Sequence, residues 1–216
     1  MSMLRLFVAV SLAAAPDIPL VDVGQQDPRL HLDMRYATDG NFARMRLYPV
    51  ARCLLREDVA AMLRRAQDAL EKKHPGFTLV LKDCYRPVSA QRQLFDAVKG
   101  TSQQGYVADP NGPVGSVHTY GAAVDLSVLD VHHHELDMGT PFDFLGALAQ
   151  PRYEARFIAE GKLTAAQRNN RQILRDAMAA GGFKGIRNEW WHFDAFKGNA
   201  LRDRYQQLDT PLDMSP

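Results

Sequence analysis

The sequence has little excess charge of either sign and no repeats, linkers or long low-complexity tracts. Its 216 residues include 26 Lys and Arg against 25 Asp and Glu, for a formal net charge of +1. Proteins that bind nucleic acid usually carry a basic surface or a stacking motif, and neither is visible in this sequence. We therefore expect no nucleic-acid partner, and the length fits one domain with one good core.

Long hydrophobic runs are also missing. The apolar run over residues 6–15 is too short to span a membrane, so we expect no membrane partner. Because Arg5 precedes this run and alanines end it, residues 1–17 are predicted to be a signal peptide or N-terminal extension of a periplasmic or secreted protein. Pro16 is a poor residue after a cleavage site at Ala15, and the alternative is an apolar N-terminal strand in a cytoplasmic protein.

Only two cysteines are present, Cys53 and Cys84, and they leave the redox compartment open. In an oxidising compartment they could pair and close a loop of about 30 residues, for about 3 to 4 kcal/mol of stability in the chain-entropy model. Sequence spacing does not tell whether the two Cα atoms lie within bonding range. We predict two free, buried thiols.

Strands with helices placed unevenly between them predict one α+β domain, with a central antiparallel sheet that is flanked by helices and carries a candidate zinc site on one face. Four helices are predicted: one over 57–74, one capped by Ser89, one from a capping box at Thr164 to Ala180, and a short one over 197–208. Two strands are predicted, a buried one over 77–83 and another over 122–128. Between the elements we predict a loop and candidate lid over 101–115 and a polar hairpin tip at His132 to His134. Residues 209–216, with two prolines, are predicted to form a frayed tail.

A His and an Asp lie seven residues apart in Gly115-Ser-Val-His118-Thr-Tyr-Gly121-Ala-Ala-Val-Asp125. On an unbroken strand this odd separation would place them on opposite faces, so they converge only if the chain bends, and Gly121 is the predicted hinge. A second half-site, Glu189-Trp-Trp-His192, follows much later. We predict one zinc ion per chain, bound by His118, Asp125 and His192.

These residue types suit hydrolysis. Catalytic zinc typically takes three N or O ligands and leaves a fourth position for a water whose pKa falls to about 7. Peptide hydrolysis also needs a general base for that water, and Glu189 is the candidate because it lies near a ligand without being one. Arg86 follows a predicted strand and is the candidate cation for the negatively charged intermediate.

The motifs Ser116-x-His118-x-x-Gly121-x-Ala123-x-Asp125 and Glu189-x-x-His192 resemble those of the M15 zinc D,D-peptidases, especially the VanX-like D-alanyl-D-alanine dipeptidases. Further segments look like the dipeptidase branch: Arg35-Tyr36-Ala37-Thr38, Asp83-x-Tyr85-Arg86-Pro87 and Met138-Gly-Thr-Pro-Phe-Asp143. The resemblance covers residues 18–208 and implies that they form one domain with a Hedgehog-like or D,D-peptidase-like fold. It further implies zinc-dependent hydrolysis of the small dipeptide D-Ala-D-Ala. It also implies that four residues contact the substrate: Asp143, Ser116, Tyr36 and Asp83.

Two other functions stay open at this point. One is a D,D-carboxypeptidase or endopeptidase that acts on longer cell-wall peptides, and the other is a zinc-bearing binding module without catalysis. The presence of both Glu189 and Arg86 argues against a pure binder, which needs neither. Single residues also have structural alternatives: Tyr36 could pack its ring at a strand end, Arg86 could pair with Asp83, and Asp143 could cap a helix that begins near Phe144.

Overall fold

The computed structural model describes residues 18–214, so the predicted signal peptide at residues 1–17 lies outside the described residues. The strands of the described part are β1 (Leu20–Asp22), β2 (His31–Leu32), β3 (Leu54–Arg56), β4 (Thr78–Asp83), β5 (Ala123–Leu129), β6 (Lys184–Gly185) and β7 (His192–Asp194). Its α-helices are α1 (Val23–Gln26), α2 (Glu57–Lys73), α3 (Val88–Val98), α4 (Glu154–Ala159), α5 (Ala165–Gly181) and α6 (Asn199–Arg202). None of these helices has the length and apolar character needed to cross a membrane.

The main sheet has five strands in the order β2-β4-β5-β7-β6. All neighbouring pairs are antiparallel except β2 and β4, which run parallel at one edge. A separate ribbon pairs β1 with β3 in antiparallel fashion. The α+β prediction is confirmed, and the parallel edge strand is the departure from a purely antiparallel sheet.

One face of the main sheet is covered by α2 and α5. Alternate residues of β5, Val124, Leu126 and Val128, are buried in the same apolar cluster as Leu63 of α2 and Leu174 of α5. In both helices the buried residues recur every three or four positions, which places them on one side of each helix. The other face of β5 is left for the polar residues of the site.

Several predicted element boundaries are confirmed, and two are wrong. The capping box at Thr164 opens α5, and Gly182 ends it in the left-handed conformation. His132 to His134 form an exposed turn, as predicted for a hairpin tip. However, Ser89 lies inside α3, whose N-cap is Pro87, and the helix predicted over 197–208 covers only Asn199–Arg202.

The C-terminal segment is docked against the domain, so the prediction of a frayed tail is wrong for the part that the structure describes. Leu212 is only 1% exposed and packs in a cluster with Tyr85 and Leu94. The Asp209 carboxylate accepts a hydrogen bond from the Ser89 backbone N–H at 2.7 Å. Burial of one apolar side chain therefore holds a segment whose composition alone suggested disorder.

Cys53 and Cys84 form a disulfide, which corrects the prediction of free thiols. Their Cα atoms lie 5.2 Å apart, within the usual range for a disulfide, and both residues are completely buried. The bond joins the residue before β3 to the residue after β4. It therefore links the two-stranded ribbon to the main sheet.

A buried arginine at the end of β3 ties distant parts of the chain together. The Arg56 guanidinium donates hydrogen bonds to the carbonyl oxygens of Ile18, Tyr120 and Gln206. Its exposed fraction is 2%, so these oxygens are needed to satisfy a charged group in the interior. The first and last parts of the described chain meet at this side chain.

Candidate active site

The turn predicted at Gly121 brings His118 and Asp125 together. A 3-10 helix over Val117–Tyr120 carries His118, and Gly121 ends it with a φ of 69°, in the left-handed region. A Cβ atom at Gly121 would lie 2.6 Å from a methyl carbon of Leu20, so a larger residue would also collide with β1. The chain reverses at this point and enters β5, where Asp125 is the third residue.

The pairing of β5 with β7 brings the third candidate ligand, His192, next to the other two. Asp125 pairs with His192 across β5 and β7, and with Asp83 across β5 and β4. A register shift between Leu81 and Asp83 brings Asp83 into this row. Residues directly opposite each other on neighbouring strands have adjacent side chains, so the pairing places the His192 ring beside the Asp125 carboxylate.

Three potential ligand atoms converge in the folded chain. His118 Nε2 lies 3.1 Å from His192 Nδ1 and 3.3 Å from Asp125 Oδ1, and His192 Nδ1 lies 2.9 Å from the same carboxylate oxygen. Zinc–ligand bonds of about 2.0 to 2.2 Å in a tetrahedron separate the ligand atoms by about 3.3 Å. This trio, the group with metal-ligating geometry in residues 18–214, therefore fits a zinc ion without large movement.

Hydrogen bonds at the far side of each ring fix which nitrogen is available. The Cys84 carbonyl oxygen, which can only accept, lies 2.6 Å from His118 Nδ1, so this nitrogen carries the proton and Nε2 faces the site. In the same way the Asp194 carboxylate lies 2.8 Å from His192 Nε2 and leaves Nδ1 for a metal. Partners of this kind orient metal-binding histidines in zinc proteins.

Neighbouring charges oppose the effect of burial on two of the three candidate ligands. Burial opposes ionisation of Asp125, but His118 and His192 hold the pKa of its carboxyl below its usual range. Burial also opposes the charge of His192, but Asp194 and Asp125 raise its pKa well above its usual range. Because a histidine ligand must be neutral, binding of a metal at this position would release a proton from His192.

Arg86 is held in a fixed position beside the three ligands. Its guanidinium donates twice to one oxygen of Asp83 and once to the side-chain oxygen of Gln91, at 2.7 Å. Nη2 also lies 3.8 Å from Asp125 Oδ2, and the carbon of the guanidinium lies 5.0 Å from the centre of the Tyr36 ring. The guanidinium also lines the cavity, where its positive charge can meet a negatively charged ligand.

Asp83 has a different position from the one predicted. It is completely buried, accepts hydrogen bonds from Arg86 and from Tyr48 at 2.9 Å, and does not line the cavity. Asp83 therefore lies outside the lining of the cavity that holds the other predicted site residues. Its place is behind Arg86, where it fixes the guanidinium and neutralises part of its charge.

Asp143 is exposed to the cavity and is not a helix cap. No helix begins near Phe144, and Asp143 has a φ of 62°, a left-handed conformation that is uncommon outside glycine. Its carboxylate accepts hydrogen bonds from the Tyr36 hydroxyl at 3.1 Å and from the Phe42 N–H at 3.3 Å. Burial and the nearby Asp125 raise the pKa of Asp143 to about 7.

Glu189 lines the same cavity without a bonded partner. Its carboxylate makes no hydrogen bond or ion pair with any residue in the described range 18–214, although the side chain is half-buried. Burial raises the pKa of Glu189 to about 8. An unpaired carboxyl with a pKa near neutrality suits a group that takes up and returns a proton.

The cavity that these residues enclose is small. Its volume is about 180 Å³, below the roughly 300 to 1,000 Å³ typical of ligand pockets. The predicted residues that line it are Tyr36, Arg86, Ser116, His118, Asp125, Asp143, Glu189 and His192. The loop over 101–115 supplies one wall through Tyr106, Val107 and Ala108. The size and the polar lining favour a small, charged ligand.

Sequence reasoning missed several residues that support the site. Asp194 lies two positions after His192 on β7, and the two-residue period of a strand could have identified it. Gln91 and the Cys84 carbonyl give no such signal, because one approaches Arg86 from α3 and the other belongs to the backbone.

Comparison with known proteins gives a consistent result. The model of the peptidase M15 family, described as D-ala-D-ala dipeptidase, matches residues 17–211. A D-alanyl-D-alanine dipeptidase of Escherichia coli (strain K12) is 35% identical, over 81% of this chain and 83% of its own. Proteins with the same name from Streptomyces coelicolor and Enterococcus faecalis are 32% and 30% identical, each over 74% of this chain and 83% of their own.

Proposed function

Because the chain belongs to the peptidase M15 family of D-Ala-D-Ala dipeptidases, we propose that it is a zinc-dependent enzyme that hydrolyses the dipeptide D-Ala-D-Ala to two D-alanines. The observation that carries this proposal is the convergence of His118 Nε2, Asp125 Oδ1 and His192 Nδ1 within 3.3 Å of one another. The unpaired carboxyl of Glu189 lines the same small cavity. Both observations support the proposal of a metal site with a general base beside it.

Each residue has a distinct role in the proposed reaction. A zinc ion held by His118, Asp125 and His192 would supply a Lewis acid that lowers the pKa of a water to about 7. Glu189 takes the proton of the attacking water and returns it to the nitrogen of the leaving D-alanine. The positive charge of Arg86, at the wall of the cavity, stabilises the negative charge that develops on the carbonyl oxygen.

The test is hydrolysis of D-Ala-D-Ala by the purified protein, with and without a chelator. We expect release of D-alanine, loss of the activity after chelation and recovery on adding about one equivalent of zinc. Activity that is confined to longer peptides would favour a D,D-carboxypeptidase or endopeptidase. Tight zinc binding without any hydrolysis would favour a non-catalytic binding module.

Arg86 is expected to act mainly in the transition state. Replacing Arg86 by alanine should lower kcat by about 10²- to 10³-fold, the usual cost of losing one oxyanion donor, and should change KM much less. Steady-state kinetics with D-Ala-D-Ala measure both constants. Arg86→Lys is the matched variant, since it keeps the charge but loses the paired N–H groups that Asp83 orients. An effect confined to KM would instead indicate that Arg86 binds the substrate carboxylate in the ground state.

Asp143 is expected to bind the free amine of the dipeptide, with help from Ser116 and Tyr36. An ammonium facing this half-buried carboxylate forms a charge-assisted hydrogen bond, worth about 1.5 to 3 kcal/mol. An N-acetyl group removes the charge and adds bulk. We expect kcat/KM for N-acetyl-D-Ala-D-Ala to be at least ten- to a hundredfold lower than for the free dipeptide.

The comparison is made in the wild type and in Asp143→Asn, which keeps the size of the side chain but removes its charge. The variant should lose most of the discrimination between the two substrates. Tyr36→Phe is a second variant, which separates the effect of charge from that of hydrogen bonding, because it removes one hydrogen bond to Asp143 and leaves the charge in place. Equal hydrolysis of both substrates by the wild type would contradict the dipeptidase assignment.

We also propose that the enzyme works in an oxidising compartment, such as a periplasm or an extracellular space. The Cys53–Cys84 disulfide supports this proposal, because disulfides form and persist there and are rare in the cytosol. Alkylation of free thiols in freshly lysed cells measures the redox state. A fully reduced pair in the cells that make the protein would contradict the proposal.

A further inference from the structure

The Cys53–Cys84 disulfide lies directly behind the candidate metal site. Cys84 is the residue after Asp83, and its carbonyl oxygen accepts the hydrogen bond from His118 Nδ1 at 2.6 Å. This hydrogen bond, buried within the domain, fixes both the tautomer and the orientation of the His118 ring. The position of the Cys84 carbonyl therefore decides where His118 Nε2 points.

Regular sheet structure does not hold Cys84. Strand β4 ends at Asp83, so Cys84 lies outside the ladder that pairs β4 with β5. Two backbone hydrogen bonds flank it, from Tyr85 N–H to the Leu54 carbonyl at 2.9 Å and from Arg86 N–H to the His118 carbonyl at 3.2 Å. The disulfide is a covalent cross-link that holds Cys84 directly.

The other end of the disulfide is well anchored. Cys53 immediately precedes β3, and its carbonyl oxygen accepts a hydrogen bond from the Val23 N–H at 2.9 Å. Cys53 is completely buried in the main apolar cluster. The bond therefore connects the end of β4, where the sheet ladder stops, to the start of β3 in the same buried cluster.

We propose that the Cys53–Cys84 disulfide is a positioning element of the metal centre, which holds the Cys84 carbonyl against His118 and so keeps Nε2 directed at the metal. This inference rests on the zinc site proposed above. The alternative is a disulfide that acts only on the unfolded chain by limiting its conformations. The two roles differ in one measurable respect, because the alternative leaves the zinc affinity of the folded protein unchanged.

The test compares zinc affinity in the wild type and in Cys53→Ala/Cys84→Ala, measured by competition with a chromophoric chelator. Loss of partners that orient metal-binding histidines typically weakens metal binding by 10- to 100-fold, and we expect the double variant to bind zinc at least about tenfold more weakly. Leu174→Ala is the control, since it removes buried apolar atoms from α5, a helix that carries no ligand. It should lower the melting temperature and keep the zinc affinity.

A second measurement reports on the ring itself. In proton NMR of the metal-free wild type, the Nδ1 proton of His118 should be protected from exchange and shifted downfield by its short hydrogen bond. In the double variant this signal should broaden or disappear. If the double variant is unfolded in buffer, sucrose is added to both proteins, because excluded osmolytes stabilise the compact state.

The outcomes separate this inference from the proposed function. Equal zinc affinity in wild type and double variant would overturn the positioning role and leave the zinc site standing. A wild type that binds no zinc would overturn the proposed function. A double variant that stays unfolded even in sucrose would also overturn the positioning role, because the bond would then serve the fold as a whole.

Discussion

Replacing Glu189 by glutamine is expected to lower kcat by about 10²- to 10⁴-fold while the protein keeps its full zinc content. The amide has nearly the same size as the carboxyl but cannot take up the proton of the attacking water. Since Glu189 bonds to none of the residues in the described chain, the substitution breaks no internal contact. The expected loss therefore reflects the proton transfer and not a change of fold.

Two measurements and one control define the result. Steady-state kinetics give kcat, and elemental analysis gives the zinc content of the same sample. Glu71→Gln is the control, because it changes an exposed glutamate that pairs with Arg29 on the surface. Glu189→Gln with its zinc and with the full rate would contradict the role of general base.

The same variant has a pH signature in the metal-free protein. Because burial raises the pKa of Glu189 to about 8, the native state holds this proton at pH values where the unfolded chain, with a glutamate pKa near 4.3, has lost it. The free energy of unfolding of the wild type should therefore fall between about pH 4.5 and pH 8. Relative to Glu189→Gln, which has no proton to lose, the wild type should become less stable over this range in urea titrations.

Replacing His118 by alanine is expected to abolish tight zinc binding and to lower kcat/KM by about 10³-fold or more. A bound metal is worth several kcal/mol in catalysis, and each 1.4 kcal/mol corresponds to a factor of ten. Elemental analysis should show about one zinc per chain in the wild type and little in the variant. The fold should survive, because the variant retains the strand pairing of β5 with both neighbours.

The matched control is His132→Ala/His134→Ala, in the exposed hairpin tip. These histidines could bind metal adventitiously, so their removal tests whether the measured zinc belongs to the cavity. We expect full zinc content and full activity in this control. Equal zinc in the wild type and in His118→Ala would contradict the ligand set.

The convergence of the candidate ligands could be predicted in part because local geometry carried much of the information. The odd separation of His118 and Asp125 required a turn, and Gly121 was the residue that permits one. The position of His192 beside these two residues was harder to predict. It depends on the register of β5 against β7, a pairing between segments far apart in the sequence. His192 was therefore predicted from its residue type and from the order of the motifs, and not from sequence spacing.

The errors have a common physical origin in tertiary contacts. Asp83 was predicted to contact the substrate, but the register shift in β4 directs it to Arg86 and Tyr48. The two cysteines were predicted to be free because sequence spacing gives no Cα distance. The tail was predicted to fray because local composition does not reveal that Leu212 finds a buried site.

The three carbonyl oxygens that accept hydrogen bonds from Arg56 come from distant parts of the chain, so their order in the sequence matters during synthesis. A ribosome delivers residues from the N-terminus onward, and domains generally fold as units as they emerge. Here the guanidinium on β3 takes one of its acceptors from Gln206, so a nascent chain that ends earlier must either hydrate this group or bury it with one acceptor fewer. His192 of the candidate metal site also lies late in the sequence. The hydrogen bonds around Arg56 and the candidate metal site can therefore be completed only after nearly the whole domain has been synthesised.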